Sequence, residues 1–338
     1  MIWSEEWPCA AVRRADLGAR TTLRVGGTAE LLLEPCTPDE LRAAIRWVRE
    51  RGHQVRILGG GANLLVADGE IAGPVIATER VRRSFRYVPR EYRGDAVLHG
   101  DAPDDPFEED TPRINLPEEE TEPRLVAWAG VTMPGLVNAS KRLGWTGLEG
   151  LAGVPGSVGG GVAMNAGGSW GDLWDVVERV RVVDEDGEFR DLDRAECAPT
   201  YRNGNLGQQV VCGVVLRLEP SHPKEVEGEV RRYLLHKRNV QPVTESSAGC
   251  IFENPPAEIS DGRSAGQLID QAGLKGRRVG EAEVSEKHGN YIINRGAATA
   301  TEVFELIEVV RAEVASHFGI ELATEVKVWG DGAAPGAR

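Results

Sequence analysis

Positive charge, cysteine and long apolar runs are what this 338-residue chain has little of. Lys and Arg number 39 against 53 Asp and Glu, a net charge of −14. An excess of acid excludes ordinary nucleic-acid binding and attachment to anionic membranes. The five cysteines are Cys9, Cys36, Cys197, Cys212 and Cys250. Their number is odd and no CxxC or Cys/His ligand spacing occurs, so neither a disulfide framework nor a metal site is expected. One uncharged stretch, residues 150–171, holds nine glycines and Pro155 and makes a poor membrane helix. The start of the chain lacks the basic and apolar segments of a signal peptide. A cytoplasmic protein of two or three domains is the expectation.

What is present is unevenly placed. Residues 95–122 contain eleven acids and one Arg, a local balance of −10 out of the total of −14. With Pro103, Pro106, Pro112 and Pro117 among them, the acidic stretch has low hydrophobicity, and residues 84–123 read as a loosely held surface insertion.

Elsewhere the spacing predicts a mixture of helices and strands, an α+β class. Thr37-Pro38-Asp39-Glu40 opens a helix that Gly52 ends, and Thr132 opens another that ends at Gly144. A strand is expected over 55–58 and another over 64–66, with Gly59-Gly60-Gly61-Ala62-Asn63 between them. This order excludes a Rossmann unit, which needs a helix after its glycines. A glycine turn between strands either cradles a phosphate with its amides or is simply a tight turn. Strands follow over 125–129, 176–183, 188–192 and 210–218. The second glycine run lies over 150–168; it suits a ligand lying against the backbone, or a close crossing of packed elements. The remainder reads as a separate α+β domain, with helices over 224–238, 264–272 and 300–318 and strands over 291–294 and 325–329.

Seven motifs in a fixed order then carry a resemblance. They are TTLRVGG at Thr21, LGGGANLLV at Leu58, GLAGVPGSVGGGVAMNAGG at Gly150, YRNGNL at Tyr201, SSAGCIFENP at Ser246, the run from Ala265 to Gly296, and TEVKVWG at Thr324. Together the motifs resemble the UDP-N-acetylenolpyruvoylglucosamine reductase family, in its shorter subtype. The resemblance implies an FAD-binding unit in two parts, like that of the vanillyl-alcohol-oxidase and p-cresol-methylhydroxylase flavoproteins. A substrate-binding α+β domain would follow. The implied boundaries are 1–80 and 81–219 for the FAD-binding subdomains and 220–331 for the substrate domain. The implied chemistry is NADPH-dependent reduction of the enolpyruvyl group of a UDP-sugar in peptidoglycan precursor synthesis, with tightly bound FAD.

The same resemblance implies the site. Gly59, Gly60, Gly61, Ala62, Asn63 and Leu64, with Gly153, Val154, Pro155, Gly156, Ser157, Val158 and Gly160, would hold FAD. Arg202, Cys250 and Glu325 fall on catalytic positions, and Tyr201, Arg238, Asn254 and His288 on substrate-binding ones. A guanidinium suits a carboxylate and the charge that develops beside it. A thiol with an ordinary pKa near 8.5 is protonated at neutral pH and can donate. Many relatives carry Ser where this chain has Cys250. Glu253 replaces the Lys or Arg often found there, which weakens that substrate contact. Two rival readings stay open: another FAD oxidoreductase of the same cofactor fold, and a non-catalytic homologue. Oligomeric state is not readable.

Overall fold

The computed structural model describes residues 7–87 and 124–330. The acidic residues 95–122 lie outside them. The described residues form a mixture of helices and runs of strands, the α+β class that the sequence implied.

The chain divides into two compact units: residues 1–11, 33–60 and 74–235 make the first, and residues 12–32, 61–73 and 236–338 the second. The first glycine loop passes from one to the other between Gly60 and Gly61.

The first unit is built on a five-stranded antiparallel sheet. Its order is Phe189–Asp193, Val177–Val183, Val210–Arg217, Arg124–Trp128 and Ser84–Tyr87. The last strand corrects one boundary: residues 84–87 belong to the sheet and not to an insertion. Ser84 pairs with Ala127, and Phe85 packs on Val126 and Val215. A short edge strand needs only one apolar anchor to join a sheet that already exists.

The helix Met133–Leu143 begins at Thr132, whose hydroxyl accepts from the Gly135 amide at 3.1 Å, and ends at Gly144 in a left-handed conformation. Its buried face meets Leu148, Leu151, Val158, Val162 and Trp174 in the core of the unit. The helix Pro38–Glu50 is capped by Thr37, which accepts from Glu40. Glu40 reaches one residue further back than a capping box requires, to the Cys36 amide at 2.7 Å.

The second unit holds a four-stranded antiparallel sheet in the order Ser246–Cys250, Tyr291–Asn294, Ala282–Val284, Arg278–Val279. Helices Ala265–Gln271 and Ala300–Phe318 share its apolar core, which takes in Phe252, Ile292, Val303, Ile307 and Val310. The longer helix has the expected capping box between Thr299 and Glu302. Asp68 reinforces it, accepting from the Ala300 and Thr301 amides at 3.0 Å each. The strand Lys327–Trp329 runs parallel to Leu64–Val66 in the same unit. Glu325 precedes this strand rather than starting it.

Candidate active site

The two glycine loops, nearly a hundred residues apart in sequence, meet in the first unit. The Gly60 amide donates to the Ser157 hydroxyl at 3.2 Å. A Cβ on Gly60 would stand 2.6 Å from the Gly156 Cα, and one on Gly59 would stand 2.7 Å from the Ser157 Oγ. Only glycine lets these backbones pass so closely. Gly153 and Gly156 have φ of +75° and +100°, a second requirement for glycine.

Ser157 is followed by a short helix, Val158–Ala163, packed so tightly that a Cβ on Gly159 would lie 2.9 Å from the Ala129 Cβ. Val158 is fully buried in the core, Val154 packs against it, and Gly153, Pro155 and Gly160 are exposed. The glycine run is therefore both a close crossing of elements and, at Gly153 and Gly160, exposed backbone without side chains. An anionic diphosphate and flat rings fit such a surface, because main-chain N–H groups can approach them with no Cβ in the way.

The other half of the first loop belongs to the second unit. Gly61, at φ +59°, accepts through its carbonyl from the Thr22 amide at 3.0 Å, and the Thr22 hydroxyl donates to the Ser247 carbonyl at 2.7 Å. Asn63 donates its side-chain amide to the Glu325 carbonyl at 3.1 Å and accepts from the Lys327 amide at 3.2 Å. Leu64 is buried and pairs with Lys327. The Glu325 amide in turn donates to the Ile251 carbonyl at 2.8 Å, and Phe252 bridges to Thr324. Asn63, Glu325 and Cys250 thus stand on three neighbouring stretches of one main-chain network.

Cys250 owes its placement to a bulge. Ser246 and Ser247 pair with Asn294 and Ile293, but Cys250 pairs with Tyr291, one residue out of that register. Gly249 absorbs the kink at φ +79°. A one-residue slip turns every later side chain to the other face of the strand, and bulges are a usual means of aiming one.

Arg202 is held differently, within the first unit. It has φ +56°, unusual for a residue with a side chain. Its guanidinium donates to the Gly167 carbonyl at 3.4 Å, lies 3.8 Å from the Asp172 carboxylate and covers the Tyr201 ring at 4.7 Å. Burial raises the Asp172 pKa and Asp175 adds to this, while Arg202 opposes it. Tyr201 is 53% exposed.

The expected substrate residues all fall in the second unit apart from Tyr201. Asn254 accepts from the Ala265 amide at 3.1 Å, which ties it to the start of a helix. His288 stands edge-on to Tyr291 at 4.9 Å. Its pKa is lowered, chiefly by burial and then by the Lys275 charge. Arg238 is exposed, and its carbonyl accepts from the Lys287 ammonium at 2.8 Å. Beside it, Lys237 is 6% exposed, and burial lowers its pKa to about 8. A lysine within that helix carries no mark of burial in its sequence.

No group of three or more metal-ligating side chains stands together among the described residues. None of their helices is long and apolar enough to cross a membrane.

Comparison with known proteins gives the class first. A model described as "FAD binding domain" matches residues 114–193, which puts the chain among FAD-binding proteins. A second model, described as "UDP-N-acetylenolpyruvoylglucosamine reductase, C-terminal domain", matches residues 241–329. The chain is 39% identical to UDP-N-acetylenolpyruvoylglucosamine reductase of Moorella thermoacetica, over 94% of this chain and 92% of that protein. It is 36% identical to the second such reductase of Symbiobacterium thermophilum, over 94% and 92%. The crystal structure of UDP-N-acetylenolpyruvylglucosamine reductase from Thermus caldophilus superposes with a TM-score of 0.71 at 33% identity, covering 95% of this chain and 98% of that one. The chain belongs to the UDP-N-acetylenolpyruvoylglucosamine reductase family.

Proposed function

We propose that Arg202, Cys250 and Glu325 carry out the substrate half of the family reaction in this chain. That reaction converts UDP-N-acetylglucosamine enolpyruvate to UDP-N-acetylmuramate. FAD, when bound, supplies the hydride chemistry, with NADPH as the ultimate donor. The protein's own work is binding, orientation and proton management.

Gly59–Asn63 and Leu64, with Gly153, Val154, Pro155, Gly156, Ser157, Val158 and Gly160, are the proposed FAD cradle. The guanidinium of Arg202 stabilises the negative charge that builds up beside the substrate carboxylate when the neighbouring carbon is attacked. The Cys250 thiol gives its proton to the carbon that carries this charge. Glu325 holds the enol region of the substrate close to that thiol. Tyr201, Arg238, Asn254 and His288 are the proposed contacts to the UDP-sugar. FAD-binding subdomains over 1–80 and 81–219 and a substrate domain over 220–331 complete the proposal, as does a cytoplasmic location, where the nucleotide-sugar substrate would be met.

The observation that carries this reading is the network joining Asn63, Glu325 and the Cys250 segment: a residue of the proposed FAD loop is bonded to the main chain at Glu325, which is bonded in turn to Ile251, the neighbour of Cys250. Stopped-flow spectroscopy without oxygen tests it. Cys250→Ala should be reduced by NADPH at close to the wild-type rate and reoxidised by the enolpyruvyl UDP-sugar about 10²–10⁴-fold more slowly. Cys250→Ser should recover part of the loss. Full-speed reoxidation of Cys250→Ala would return Cys250 to a packing role.

A further inference from the structure

We infer that Asn290 is a positioning residue for this reaction: it holds the turn that carries Cys250, the main chain at Glu325 and the ring of His288. The inference rests on the roles given above to those three residues and adds a fourth that touches none of the reacting atoms.

The geometry is unusually complete. Asn290 is 3% exposed. Its Oδ1 accepts from the Phe252 amide at 2.9 Å, and its Nδ2 donates to the Phe252 carbonyl at 2.8 Å. Its own carbonyl accepts from the Ile251 amide at 2.9 Å, and its own amide donates to the His288 Nδ1 at 3.2 Å. Every polar group that Asn290 owns is thus engaged.

The need for it follows from the bulge. Paired strands end at Cys250–Tyr291. Beyond that point Ile251–Glu253 is bonded on one edge by residues 323–326, through Glu325 to Ile251 and Glu253 to Ala323. On the opposite edge the ladder has run out, yet Phe252 is only 1% exposed. Its N–H and C=O would be buried there without partners. The Asn290 side chain supplies the missing peptide group, a donor and an acceptor at the right separation. Leucine offers neither, and an ionised aspartate offers only acceptors.

With both edges bonded, Ile251–Phe252 cannot rotate, and Cys250 and Glu325 keep a fixed spacing. The same residue selects the form of His288. An Nδ1 that accepts a hydrogen bond carries no proton in the neutral ring, so the proton sits on Nε2. His288 therefore presents an N–H donor, which suits an oxygen acceptor on the nucleotide-sugar.

The test uses full-length, FAD-loaded protein and compares Asn290→Ala and Asn290→Asp with Cys250→Ala. FAD content, reduction by NADPH, reoxidation by the enolpyruvyl UDP-sugar and hydrogen exchange at the Phe252 amide are measured on each. Asn290→Ala should keep its FAD and be reduced by NADPH within a few-fold of wild type. Its reoxidation should slow by about 10²-fold, the effect of a displacement near 1 Å, and the Phe252 amide should exchange faster. Asn290→Asp keeps the size but sets a carboxylate oxygen against the Phe252 carbonyl, and should be at least as impaired as Asn290→Ala on both readouts. Wild-type reoxidation of Asn290→Ala beside slow reoxidation of Cys250→Ala would overturn this inference alone. Loss of FAD from both Asn290 variants, or equal slowing of both half-reactions, would also overturn it, since Asn290 would then be a general packing residue. Slow reoxidation of Asn290→Ala beside full-speed Cys250→Ala would support positioning of Glu325 and His288 and overturn the role of Cys250.

Discussion

Arg202 and the Cys250–Glu325 pair are held by opposite means. Arg202 sits on a loop in a left-handed conformation, and its side chain is fixed from its far end by Gly167, Asp172 and the Tyr201 ring. Cys250 and Glu325 are fixed from their near ends by main-chain hydrogen bonds and by the Asn290 amide. A charge held through side chains can swing toward a ligand, because an ion pair that is partly solvated is worth little. Main-chain bonds fix instead the points from which a thiol and a carboxyl start, and leave only their side-chain rotamers to choose. On the proposed roles the comparison teaches a division of labour: Arg202, held by a long ion pair, can exchange Asp172 for the developing charge, while the main chain that carries the proposed proton donor stays in place.

Removing the Arg202 charge altogether should have the larger effect. Arg202→Ala should still bind FAD and accept hydride from NADPH within a few-fold of wild type, with reoxidation by the UDP-sugar slowed about 10²–10³-fold, the usual range for losing an electrostatic stabiliser. Equal slowing of both steps would break the assignment. Loosening the same charge should do less. Asp172→Asn removes the counter-charge at 3.8 Å and should change reoxidation by only roughly two- to fivefold. A large loss there would show that Arg202 needs rigid support after all, and the contrast with Cys250 would disappear.

The smallest effect concerns stability. Asp68 caps the helix Ala300–Phe318 from a distant loop of the second unit. Burial raises its pKa, but the Thr301 and Ala300 amides and the Thr301 hydroxyl outweigh this and hold it below the ordinary 3.8. A depressed carboxyl stabilises the fold above its unfolded value and loses that effect as pH falls through its folded value. Asp68→Ala should therefore lower stability by about 1 kcal/mol at neutral pH. The difference from wild type should fade in thermal melts at acid pH; a difference that persists there would mean that the charge is not the cause.

The caps at Thr37, Thr132 and Thr299 were legible because capping is local chemistry, set by residues three positions apart. The glycine loops and the order of motifs were legible for a similar reason. What stayed hidden depends on tertiary packing. Three glycines in six residues argue against a helix over 158–163, yet one forms because Gly159 can press against Ala129. Ser84–Tyr87 carries too few apolar residues to announce a strand until Arg124–Trp128 stands beside it. Glu325 precedes its strand because its amide is taken by Ile251 and not by a ladder partner. Asn290 and Asp172 gave no signal at all, since their importance lies in partners 38 and 30 positions away.

The most direct measurement is anaerobic two-step mixing of the purified wild-type protein. The protein should be yellow with bound FAD, lose its visible absorbance on mixing with NADPH, and regain it on mixing with UDP-N-acetylglucosamine enolpyruvate as UDP-N-acetylmuramate forms. A colourless protein, or one bleached by NADPH whose colour that sugar does not restore, would contradict the account.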